Sequence, residues 1–142
     1  MKIRATFALM LGMGVASCKA VEERMVTSVF SDYVEAQEAL AVDDYEEAKK
    51  AIQAMAGEAD GHLREVASRV AAAENIEEVR SGFKELSGEM LKGKPRDGYA
   101  VVFCPMADQG KGARWIQKEG EIANPYLGSS MPTCGTIEES AN

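Results

Sequence analysis

The chain has 142 residues, with 16 basic and 23 acidic side chains, a formal net charge of −7 and a single histidine. That balance argues against nucleic-acid binding, and one histidine leaves too few partners for the usual Cys/His zinc sites or a Cys/His nucleophile. The length supports one core and not comfortably two, so a single domain is expected.

Lys2 and Arg4 form a short positive region ahead of an apolar run from Ala5 to Gly14. The run is too short to span a bilayer and reads as a secretion signal. It ends in Val15-Ala16-Ser17-Cys18, which resembles the bacterial lipobox. The resemblance implies that residues 1–17 are removed and that Cys18 carries a diacylglycerol, tethering a mature domain of residues 18–142 to a membrane. Lys19 after the cysteine resembles the signal for the outer membrane, so the expected location is the periplasmic face of the cell envelope. The competing reading is ordinary cleavage near Ala16 or Ala20, with Cys18 a free thiol. Loss of Lys2 and Arg4 with the signal takes the net charge from −7 to −9. An acidic surface of this kind keeps a tethered domain soluble and repels anionic headgroups.

From about Val21 to Gly93 the chain reads as helices, with apolar residues spaced by three and four. The first helix is expected over Val21–Val42, with Met25, Val29, Phe30, Tyr33, Val34 and Leu40 on its inner side. Asp43 or Asp44 offers an N-cap to a second, whose Tyr45, Ala48, Ile52 and Met55 form a stripe before Gly57. Asp60 is expected to cap a third, with Leu63, Val66, Ala67, Val70 and Ala71 inward. Asn75 caps a fourth, seamed by Ile76, Val79, Phe83, Leu86 and Met90 and ended by Gly93 and Pro95. Short connections make neighbours antiparallel, so the expected fold is mainly α: an up-down four-helix bundle over about 21–93.

A small C-terminal region over about 97–138, extended or β and containing the Cys/Met motifs, is expected to pack on that bundle. Tyr99–Cys104 is β-branched and aromatic and reads as a strand. Gly110-Lys111-Gly112 marks a turn, Ala113–Ile116 a second short piece, extended or helical, and Asn124-Pro125-Tyr126-Leu127-Gly128 a turn cluster.

The same region carries Cys104-Pro105-Met106 and Met131-Pro132-Thr133-Cys134-Gly135. Cys104 and Met106, two apart in an extended segment, can face the same way. Met131 and Cys134, three apart around a proline, suit a turn that returns both sulfurs to one point. Two thiolates and two thioethers form a soft set that selects Cu(I) or Ag(I) over Zn, Mg or Ca. The alternative is a Cys104–Cys134 disulfide, with no metal, closing a 30-residue loop for about 3–4 kcal/mol. With Cys18 consumed by lipid, two cysteines remain, and on spacing alone the bridge is favoured, with Met106 and Met131 as ordinary core filler. Trp115 and Tyr126 either line such a pocket or pack the core. Asn124-Pro125-Tyr126 is read as a turn whose side-chain hydrogen bonds aim Met131. His62 is expected at the surface. Gly88 to Lys94 imitates a phosphate loop, but Pro95 replaces the Ser/Thr and no strand precedes it. No nucleophile elbow occurs, and no enzyme activity is expected.

Taken together, Cys104-Pro105-Met106-Ala107, Gly112-Ala113-x-Trp115 and Glu121-Ile122-x-Asn124-Pro125-Tyr126-x-Gly128-x-x-Met131-x-x-Cys134-Gly135 resemble a bacterial domain of unknown function. That domain occurs alone in lipoproteins and fused to copper/silver efflux adaptors of the CusB type. Only the stretch from 103 to 135 is specific. The resemblance implies a periplasmic helical domain in a heavy-metal resistance setting, partnered with a copper/silver efflux complex. It also implies a soft-metal site at Cys104, Met106, Met131 and Cys134, and it tips the choice between bridge and metal toward Cu(I) or Ag(I). Many relatives have His or Tyr before the Cys-Pro-Met, whereas Phe103 stands here and removes any imidazole ligand from that position.

Overall fold

The computed structural model describes residues 15–94 and 96–140. The apolar run before Val15, the side chain of Cys18 and the helix stop assigned to Pro95 lie outside what it describes. The protein is mainly helical, with a small three-stranded antiparallel sheet. Among the described residues no helix is long and apolar enough to cross a membrane.

Four long helices come first: α1 (Val15–Ala41), α2 (Tyr45–Glu58), α3 (Gly61–Ala71) and α4 (Ile76–Met90). The caps do what their side chains allow. Asp44 accepts from the Glu47 N–H at 3.0 Å and Asn75 from the Glu78 N–H at 3.0 Å, each satisfying a donor that the first helical turn leaves unpaired. Asp60 has extended N-cap geometry but makes no side-chain cap bond, so that expectation is met in backbone only. The first helix starts earlier than the expected Val21, and Met25 on its supposed inner side is 38 % exposed.

Each helix packs on the next in chain order, while α1 and α4 also pack against the sheet. The sheet, in the order β2-β1-β3, comprises β1 (Tyr99–Cys104), β2 (Ala113–Lys118) and β3 (Thr136–Ser140). β1 pairs with β2 through Val102↔Trp115 and Cys104↔Ala113, and with β3 across a bulge between Val101 and Val102. β1 matches expectation in place and type; β2 starts where the second short piece was expected and resolves its open type, extended or helical, as a strand running on to Lys118; β3 extends the motif region with a strand absent from the sequence reading. A buried polar network knits the layers. Tyr33 Oη meets Ser87 Oγ at 2.9 Å and accepts from the Ile116 N–H at 3.1 Å. Tyr126 Oη donates to the Arg114 carbonyl at 2.7 Å and meets Ser87 Oγ at 3.1 Å. Burial pushes the Tyr33 phenol up to about 12, so both tyrosines serve as neutral hydrogen-bonding groups.

Asp32 on α1 is the one poorly matched buried polar group among the described residues, with Oδ2 lacking a hydrogen-bond partner. Burial, then the charges of Glu58 and Glu35, push its carboxyl up to about 6. A folded-state value above the unfolded one means that ionised Asp32 opposes folding at neutral pH and that the penalty fades as the pH falls through 6 toward 4. Asp32→Asn is therefore expected to stabilise the fold by about 1 kcal/mol at pH 7.5, after allowance for solvent screening. The gain should vanish below pH 4 in urea titrations run across that range; a pH-independent difference would show that ionisation is not the cause.

Candidate functional site

Cys104 is the last residue of β1, fully buried, and Cys134 lies just before β3, half-buried. Because β3 pairs directly with β1, the chain ahead of β3 must return to the end of β1. That return places Cys104 Sγ and Cys134 Sγ 2.7 Å apart. No bond joins the two sulfurs in the structure. The Cys134 thiol is pushed up, first by its hydrogen bond with Cys104, then by desolvation and by the Cys104 charge; a backbone N–H of Met106 opposes the rise. Two thiolates this close would repel, which disfavours ionising Cys134.

Asn124 holds Cys134 in place. It is fully buried, its Oδ1 accepts from the N–H groups of Tyr126 at 2.9 Å and Leu127 at 3.0 Å, and its Nδ2 donates to the Cys134 carbonyl at 2.7 Å. Its own N–H donates to the Pro132 carbonyl at 2.8 Å. This is the Asx turn expected of Asn-Pro-Tyr. Its side chain reaches the backbone of Cys134, where the sequence reading had it aim Met131. Gly135 completes the placement: its φ is +150°, and a Cβ there would stand 2.9 Å from Val102 Cγ1 and 3.1 Å from Trp115 Cη2. Only glycine lets the chain cross the indole so closely.

Trp115 and Tyr126 belong to the core. The indole is fully buried, donates to Gln117 Oε1 at 2.9 Å and meets the Tyr126 ring edge-on. Pro125 contributes its carbonyl, which accepts from Arg80 Nε at 3.0 Å. The two methionines depart from the core-filler expectation attached to the disulfide reading: Met106 is 56 % exposed and Met131 43 % exposed. Each lies two or three residues along the chain from its cysteine, and both side chains reach solvent. Between Met106 and β2 the chain makes a left-handed turn, with φ of 51° at Asp108 and 55° at Gln109, and Lys84 Nζ holds Asp108 Oδ2 at 2.5 Å. Positive φ at two successive non-glycine residues is costly, and the ion pair helps offset it.

Among the described residues no group of three or more His, Cys, Asp or Glu side chains converges as a metal site. A thiolate–metal bond of about 2.3 Å sets two thiolates on one ion about 3.7 Å apart or more. Metal entry therefore requires the sulfurs to part by about 1 Å, a rotamer-scale movement. His62 is at the surface, with Nδ1 3.5 Å from Glu65 Oε2 and Nε2 3.7 Å from Glu89 Oε1, remote in sequence from the sulfurs.

Several residues that shape the site were missed in the sequence. Gln117 is buried and anchors the following loop: its Oε1 accepts from the Ala123 N–H at 3.0 Å and its Nε2 donates to the Glu121 carbonyl at 2.9 Å. Gln37 Nε2 donates to the Ala123 carbonyl at 2.7 Å. Arg80, with a side chain 10 % exposed, links the Leu40 carbonyl, Asp43 and the Pro125 carbonyl. Asp43 in turn accepts from Ser129, and these bonds hold its carboxyl down at about 2. The available signal was a polar residue at an inward position, such as Gln37 one helical turn after Tyr33.

Comparison with known protein families, with curated proteins and with solved structures finds no match.

Proposed function

We propose that the protein is a non-enzymatic, soft-metal binder for Cu(I) or Ag(I), with Cys104 and Cys134 as thiolate ligands and Met106 and Met131 as thioether ligands. The observation that supports this reading is a close thiol pair, Cys104 buried and Cys134 half-buried, with two exposed methionines beside them in sequence for which core packing gives no reason. The lipobox and signal segment add a lipid anchor at Cys18 and the periplasmic face of the envelope, on the outer membrane. The motif resemblance adds a setting in heavy-metal resistance and a copper/silver efflux complex as the recipient. For the scaffold, we read the four long helices as an up-down bundle, supported by their short connections and serial packing.

A second reading, a structural or interaction lipoprotein stapled by a Cys104–Cys134 bridge, is favoured by the 2.7 Å between the sulfurs. An anaerobic competition titration against a Cu(I) chelator separates the two. Fully reduced protein is expected to take one Cu(I) per chain. Cys104→Ser should weaken binding by about 100-fold or more, and Met131→Leu by about tenfold. Because both thiols must lose protons, apparent affinity should rise between pH 6 and 8. Absence of Cu(I) binding by protein with two titratable thiols would sink the metal reading and leave the staple.

A further inference from the structure

The head of α1 carries a feature that the sulfur site does not use. Val21 is 55 % exposed, Met25 38 % and Val26 57 %, and these side chains open onto a cavity of about 680 Å³ whose far wall includes Leu63 of α3 and Met90 of α4. Its rim carries Glu22, Glu58, Asp60 and Glu89. The basic groups nearby are already engaged. Arg96 donates to the Val26 carbonyl at 2.7 Å with its guanidinium over the Phe30 ring, and Lys92 pairs with Glu89 at 2.6 Å. Glu58 also belongs to a wider acidic face with Asp32 and Glu35, whose mutual repulsion is felt in the raised Asp32 carboxyl.

We propose that this groove is a docking site for a cationic amphipathic helix of a partner protein. An apolar floor with flexible methionine side chains accepts the apolar stripe of a helix and adapts to its shape. The Glu22, Glu58 and Asp60 carboxylates at the rim complement basic residues flanking that stripe and steer its approach. The same rim argues against the other occupants. A second copy would bring its own acidic rim against this one, and an acyl chain has no use for charges. Arg96 precedes β1 and Cys104 ends it, so the groove lies at the opposite end of that strand from the thiols, about 20 Å away by strand rise. Docking and metal binding can therefore occur together, and the inference stands independently of the metal reading.

The test uses the full chain in phosphatidylcholine nanodiscs and a fluorescein-labelled 18-residue Leu/Lys peptide with one apolar helical face. Empty discs define the background. Saturable binding is expected, at least tenfold weaker for the Leu/Glu counterpart and for a scramble of the same composition that lacks an apolar face. Val21→Ser/Val26→Ser, at two exposed positions that leave the core intact, should weaken binding at least tenfold, and Glu58→Lys about threefold or more. Ile137→Ser, exposed on β3, should change nothing. Equal binding by the scramble or by the double-serine variant overturns the proposal. So does a shift in oligomeric state on Val21→Ser/Val26→Ser, which would assign the groove to a second copy.

Discussion

Oxidation of the Cys104–Cys134 pair is expected to raise the unfolding free energy by about 3–4 kcal/mol and to abolish Cu(I) binding in the same step. The stability gain follows from closing a 30-residue loop in the unfolded chain, since the folded protein already holds the sulfurs 2.7 Å apart and gives up little order in bonding them. The loss of binding follows because a bridge consumes both thiolates and leaves two thioethers, which alone hold Cu(I) weakly. Urea unfolding of reduced and oxidised protein, each with its thiols counted, checks the first effect, and chelator competition on the same samples checks the second. Cu(I) bound to the reduced form should slow oxidation, because thiolates engaged by metal are poorer nucleophiles toward another disulfide. Unchanged stability on oxidation would mean that the unfolded chain already keeps the two segments together.

That dual behaviour depends on how β1 and the chain before β3 meet, and only half of this was legible in the sequence. Tyr99–Cys104 announces itself as a strand through β-branched and aromatic residues between turn signals. Thr136–Ser140 does not. Its Ile137 is 47 % exposed and its neighbours are polar, so the strand exists because β1 has an open side to pair with and not because its own pattern demands burial. The helices show the same division. Asp44 and Asn75 carry cap chemistry in their side chains and could be read locally, whereas the approach of the sheet to α1 and α4 depends on Tyr33, Ser87 and Tyr126 meeting across long separations. Those contacts have no local signature. Met25 was misplaced for a related reason: helical spacing identifies a face, but not whether anything covers it. At Met25 the groove leaves that face open.

Asn124→Ala is expected to be the most damaging single change in the loop, costing about 3–5 kcal/mol. The side chain is fully buried, so its loss leaves two N–H groups, of Tyr126 and Leu127, and the Cys134 carbonyl without their partners in a site shielded from water. Asn124→Asp should not rescue it, because a carboxylate keeps the two acceptor bonds but cannot donate to the Cys134 carbonyl and adds a buried charge. A second readout separates this role from general destabilisation. The thiol–disulfide equilibrium against glutathione measures how closely the fold holds Cys134 to Cys104, and Asn124→Ala should lower it at least tenfold. Tyr126→Phe, which loses the bonds to Ser87 and the Arg114 carbonyl but leaves the Asn124–Cys134 bond intact, should cost about 1–2 kcal/mol and move the equilibrium little. If the two variants shift it equally, Asn124 acts through stability alone. If only Asn124→Ala shifts it, the hydrogen bond to the Cys134 carbonyl sets the sulfur separation, and the Cu(I) affinity of reduced protein should fall with it.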